Sequence, residues 1–174
     1  MPQPEDISTL VGSYPRCSHC GGDRVTRDAW ATWNTLTCTW SLSETFDTFF
    51  CDTCADCSLD WHVDQEFRKK RIKRLNDAMR QGDLQNGTIT LTQGIQALGK
   101  SKVRDIAGAI AEFDTFTTDS DPHGEHDFGS FQAHGQTIFW KIDYFDRQLT
   151  NHSPDPANPD VTHRVLTIML ASEY

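Results

Sequence analysis

All six cysteines of the chain, Cys17, Cys20, Cys38, Cys51, Cys54 and Cys57, fall before residue 60. Cys17-Ser18-His19-Cys20 is followed by Gly21-Gly22, and Cys51-Asp52-Thr53-Cys54 supplies a second pair of the same spacing. Two thiolates separated by two residues bind one ion, and the glycines let the backbone turn tightly beneath it. Two such pairs make a closed tetrahedral zinc site, so Cys17, Cys20, Cys51 and Cys54 are the expected ligands. Cys54-Ala55-Asp56-Cys57 is a further CxxC, and Cys57 in place of Cys51 is the competing set. Cys38 falls in an expected strand and reads as a small buried hydrophobe. A site with four thiolates has no open coordination position, so this zinc is structural and not catalytic.

The second group of chemistry-bearing residues is Glu125-His126-Asp127, with Asp143, Tyr144, Asp146 and Arg164 on strands expected beside it. A carboxylate next to an imidazole tunes a general base, and paired carboxylates hold a divalent ion. Glu125, His126, Asp127 and Asp143 are therefore the candidate residues of a hydrolase or nuclease. The competing reading makes GEHDFG and KIDYFDR turn and strand-end motifs whose polar groups bond the backbone. The chain contains no nucleophile elbow, P-loop, dinucleotide fingerprint or zincin motif.

The third group is basic. Residues 64–82, DQEFRKKRIKRLNDAMRQG, read as one amphipathic helix with Phe67, Ile72, Leu75 and Met79 as its apolar stripe. Arg68, Lys69, Lys70, Arg71, Lys73 and Arg74 fill most of the remaining surface and form a candidate interface for nucleic acid or another acidic partner. Alternatively they rest against acidic parts of the same chain. Charge is segregated along the sequence. Residues 1–63 carry 3 basic and 9 acidic groups, residues 64–105 carry 10 and 5, and residues 106–174 carry 3 and 11.

These groups need a framework. Alternating apolar residues in 25–33 and 36–46 predict two or three short strands between the two CxxC pairs, the layout of a zinc ribbon over residues 1–63. A unit of that size buries little apolar surface, and metal binding supplies much of its folding free energy. Beyond the basic helix, 88–91 is a short extended stretch. TQGIQALG and a longer segment capped by Ser101 are helices, superficially a helix-turn-helix. Residues 127–133 and 136–146 form a hairpin through His134-Gly135, and 161–170 is a central strand. The expected class is α+β: a zinc ribbon of short antiparallel strands, then helices and a small antiparallel sheet in a domain spanning residues 64–174.

The segments TFTTDSDPHGEHDFGSF, IFWKIDYFDRQL, SPDPANPDVTHRVLTIML and the terminal SEY resemble the bacterial domain-of-unknown-function family 3768, over roughly residues 64–174. The first 60 residues resemble a zinc-ribbon unit sometimes joined to it. His123 departs from the family, which commonly carries an aromatic there. The resemblance implies a fold context and a bacterial origin on genomes or plasmids, but no reaction.

The chain of 174 residues has a net charge of −9 and a mean hydropathy of −0.56, with no apolar run long enough to span a membrane. The opening MPQPEDISTL is acidic, unlike a secretory signal. The sequence thus predicts a cytoplasmic protein without a membrane partner. It is expected to be a non-enzymatic zinc-binding protein engaging a macromolecule, either nucleic acid through the basic helix or a protein. Such a protein would suit an accessory or counter-defence role on mobile elements.

Overall fold

The structure is a computed structural model in which residues 7–174 are described; the acidic opening 1–6 lies outside them. The chain separates into two compact units, Met1–Asp64 and Gln65–Tyr174.

The first unit is built from short antiparallel pairings. Strand β1 (Ser13–Cys17) pairs with β5 (Leu59–Val63), and β2 (Val25–Asn34), β3 (Thr39–Cys51) and β4 (Ala55–Asp56) form a three-stranded sheet in that order. The turn between β2 and β3 forms because the Asn34 side-chain oxygen accepts the backbone N–H groups of Leu36 and Thr37. Cys38 sits in this turn, exposed and with a left-handed φ of 53°. This corrects the expectation of a buried strand residue: the strand begins one residue later. Cys17, Cys51 and Cys57 are the only buried residues of this unit among those described.

The second unit packs helices against a four-stranded sheet. Helix α1 (Gln65–Arg80) leads through β6 (Gly87–Leu91) to α2 (Gln93–Ala97) and α3 (Lys100–Ala111). Strands β7 (Phe128–Ala133), β8 (Gln136–Phe145) and β9 (His163–Leu170) follow. Helix α1 stops because Gly82 takes φ 103°. Its N–H then reaches the Met79 carbonyl while the Asp83 N–H reaches that of Ala78, the paired bonds of a Schellman end. Helix α3 begins at Lys100 behind Gly99, so Ser101 lies inside the helix and does not cap it.

The sheet order is β6-β9-β8-β7. The hairpin of β7 and β8 and the central place of β9 follow the sequence pattern. The edge strand β6 instead runs parallel to β9, so the sheet is mixed and not wholly antiparallel. Periodicity reports which side chains share a face, not which direction a neighbouring strand runs. On the inner face Trp140 lies opposite Ile168 and Ile142 opposite Leu166, and Met79, Ile95, Ile106 and Ile110 close over them from the helices. On the outer face Phe139 is half-buried between Phe128 and Tyr174, each ring centroid 5.6 Å away.

Gly129 of β7 lies directly under the Trp140 ring. A Cβ there would stand 2.5 Å from Trp140 Cζ2, and the ring is fully buried with no room to yield. Gly129→Ala is therefore expected to destabilise this unit by about 2 kcal/mol, the usual penalty of overpacking. A urea midpoint unchanged from the parent would show that the ring has more freedom than its burial implies.

Candidate metal centre and the polar core of the second unit

The first CxxC turn follows β1. Gly21 adopts φ 71°, its N–H bonds the Cys17 carbonyl at 2.8 Å, and the Cys17 N–H bonds the Gly22 carbonyl at 2.8 Å. A Cβ on Gly22 would press on Cys20 Sγ at 3.3 Å, so glycine leaves the sulfur its place. The second pair lies where β3 ends, and the Thr53 N–H points at Cys51 Sγ at 3.4 Å.

These turns bring the sulfurs of Cys17, Cys20, Cys51 and Cys54 within 4.8 Å of one another. Cys20 Sγ and Cys51 Sγ are 3.6 Å apart. A tetrahedron of sulfurs at about 2.3 Å from zinc has edges of about 3.8 Å, so the spacing fits an ion of that kind. Electrostatics agree. Backbone N–H groups, that of Cys20 foremost, hold the Cys17 thiol down at about 6. The neighbouring Cys20 side chain and burial push Cys54 up to about 12. Four sulfurs this close cannot all ionise without a cation among them, which is the condition a divalent metal satisfies. Cys57 is buried beside the group but outside it, and burial raises its thiol above the ordinary range.

The Glu125-His126-Asp127 group does not assemble as one site. Among the described residues no set of three His, Cys, Asp or Glu ligand atoms converges except the four cysteines. His126 takes a left-handed φ of 56°, and Asp121 holds the segment by accepting the backbone N–H groups of Glu125 and His126. The imidazole turns to α1, with Nδ1 2.8 Å from Asp77 Oδ1, and stacks on Phe116 at 3.5 Å between ring centroids. The same Asp77 oxygen accepts a bond from Arg80, whose guanidinium also donates to the Ile110 and Phe113 carbonyls. Glu125 turns elsewhere, accepting from Tyr144 Oη at 3.4 Å. Asp143 pairs with Lys141 on the same face of β8. Burial raises the Glu125 and Asp127 carboxyls above the usual range, and the Tyr144 hydroxyl above its own.

Sequence reasoning missed the residue at the centre of this polar core. Asn76 is fully buried on α1; its amide donates to the Glu125 carbonyl and to Tyr144 Oη, and its oxygen accepts from Arg164 Nε at 2.9 Å. Asn76 and Arg80 stand four residues apart beside Ile72 and Met79, a spacing that marks one inward helix face. By contrast Phe67, assigned to the apolar stripe, is 48% exposed.

The basic surface of α1 is also divided. Arg68 pairs with the buried Asp155 at 2.9 Å, and Arg71 donates to the Ala157 carbonyl. With Arg164 on the Pro156 carbonyl, three arginines clamp the proline-rich loop that leads into β9. The Lys69 stem lies over Gly124, where a Cβ would meet its Cε at 2.5 Å. Lys70, Lys73 and Arg74 are exposed, and no ion pair forms on any of the three among the described residues.

Residues 91–173 match the family described as Protein of unknown function (DUF3768), which bears out the resemblance read from the sequence motifs. The match begins after α1, and the zinc-ribbon part rests on the cysteine cluster alone. No curated protein and no solved structure matches the chain. Among the described residues no helix is long and apolar enough to cross a membrane.

Two outcomes follow from this geometry. Cys57→Ser is expected to keep the full metal content of the parent protein, while Cys51→Ser loses most of it; elemental analysis after gel filtration decides. Metal retained by Cys51→Ser but lost by Cys57→Ser would exchange the two ligands. For Glu125, the raised carboxyl means the folded state favours its protonated form. Its contribution to stability is greatest in acid and is lost as pH rises through the folded value. Glu125→Gln should therefore be more stable than the parent at about pH 7 and converge with it toward about pH 4. A constant difference across that range would contradict the assignment.

Proposed function

We propose that the protein is a non-enzymatic binding protein in which Cys17, Cys20, Cys51 and Cys54 hold a structural zinc and the second unit engages an acidic macromolecule. The convergence of four sulfurs, with soft donors in a closed set, is the observation that carries the metal assignment. Zinc chemistry in such a site is structural: it replaces the missing core and offers no position to a substrate water.

For the partner, nucleic acid fits the exposed stripe of Lys70, Lys73 and Arg74, which at i, i+3 and i+4 share one face of α1. Arg68 and Arg71, spent on the loop that carries Asp155, position that stripe and do not extend it. The six thiols suit the reducing conditions of a cytoplasm. A role on mobile elements, as an accessory or counter-defence factor, rests on the family resemblance.

A second reading, a hydrolase or nuclease, is favoured by the His126–Asp77 bond, the geometry in which a carboxylate orients an imidazole for general-base work. The same bond also joins helix α1 to the GEHDFG segment, and the other candidate carboxylates turn away from it. His126→Gln with intact folding and loss of a measured turnover would favour the enzyme over the binding protein.

Binding to a single-stranded or duplex DNA probe, measured by fluorescence anisotropy, should weaken with salt along a log–log slope of roughly −2 to −3. Each of Lys70→Gln, Lys73→Gln and Arg74→Gln should reduce that slope by about 1. Binding with no salt dependence, or binding undisturbed by the triple substitution, would move the partner away from this helix.

A further inference from the structure

The hairpin of β2 and β3 carries an apolar surface that neither the metal site nor the basic stripe uses. From Ala29 to Ser43 the chain contains no charged residue, although 24% of the whole sequence is charged. Trp30, Trp33 and Trp40, three of the five tryptophans, lie in this stretch. Register places Trp33 opposite Trp40 and Ala31 opposite Leu42, so these four share one face. The two indoles meet edge to face with centroids 5.5 Å apart, and Trp30 meets Phe46 in the same way at 5.2 Å. Nevertheless Trp30 is 65% exposed, Trp40 69%, Leu42 69% and Leu36, at the turn, 94%.

Contiguous exposed apolar surface of this kind marks an interface. Nucleic acid fits it poorly, because base stacking needs accompanying cations and the flanking Arg24 and Arg27 are paired with Asp52 and Asp47. Loss of charge with enrichment in tryptophan is the composition of a protein interface core. The exposed fractions of Trp33, Trp40 and Leu42 on this face, with Leu36 at the turn, at about 150–250 Å² per large side chain, give roughly 500 Å². Two such faces together bury roughly 1,000 Å², about the least that a specific interface needs. An uncharged patch is also self-complementary, as a two-fold contact between identical surfaces requires.

We propose that this hairpin is a homodimerisation arm: the face carrying Ala31, Trp33, Trp40 and Leu42 packs on the same face of a second copy of this chain.

Sedimentation velocity of the metal-loaded full-length protein under reducing conditions, across a wide concentration range, tests it. The parent protein should sediment as a dimer, and Leu42→Glu, which brings like charges together across the two-fold axis, should weaken association at least about tenfold. Trp40→Thr should act in the same direction. Metal content serves as the folding control; if Leu42→Glu loses metal, Leu36→Glu at the exposed turn is read instead. A parent protein that remains monomeric, or a dimer that these substitutions leave intact, overturns the proposal. A monomer that cosediments with phosphatidylcholine vesicles overturns it in favour of a lipid surface.

Discussion

Four sulfurs held within 4.8 Å of one another are the constraint on which the first unit rests. Its described residues bury three cysteines, with Val25, Phe49, Cys54 and Leu59 half-buried against them, so the small core of this unit lies around the metal site itself. Its strands form one two-stranded and one three-stranded antiparallel sheet with most described side chains exposed, an arrangement marginal in water on its own. An ion that draws together the turn after β1 and the end of β3 closes a loop of some thirty residues and fixes where the long hairpin springs from. The interaction also explains why that hairpin tolerates so much exposed aromatic surface: its anchoring does not depend on burying it.

The second unit is held by different means. Its apolar core lies between the inner face of β8 and β9 and the helices, and at one end that core gives way to a polar one. Asn76 links α1 to Glu125, Tyr144 and Arg164, while Arg80 and Asp77 link the same helix to His126 and to the end of α3. Asn76 is bonded through both its amide nitrogen and its oxygen, and Arg80 through both terminal nitrogens while its Nε has no hydrogen-bond partner. Helix α1 thus has two distinct faces. Its inner face organises the sheet and the GEHDFG segment, and the outer stripe of Lys70, Lys73 and Arg74 is exposed.

The sequence made some of this visible and concealed the rest for physical reasons. The paired CxxC spacing is a local property, since two residues between thiols set their separation, and four sulfurs do meet. The β7–β8 hairpin is similarly local, its turn and alternation written in consecutive residues. The direction of β6 is not local: nothing in Thr88 to Leu91 distinguishes a parallel neighbour from an antiparallel one. Alternating apolar residues in β2 and β3 predicted the strands, but alternation does not say whether the apolar side chains are covered, and most are exposed. The run from Arg68 to Arg74 looked uniform because charge alone does not reveal that Asp155 and Ala157, more than eighty residues away, take two of its arginines. For the same reason Glu125, His126 and Asp127, adjacent in sequence, parted company: a left-handed residue turned one of them toward α1.

The central claim is that a metal ion, and not packing, keeps the first unit folded. Amide hydrogen exchange of the full-length protein before and after chelation tests it most directly. The account predicts that protection across β1 to β5 disappears on chelation and returns with zinc, while β7, β8 and β9 keep theirs. Unchanged protection in Val25–Asn34 and Thr39–Cys51 after complete metal removal would contradict it.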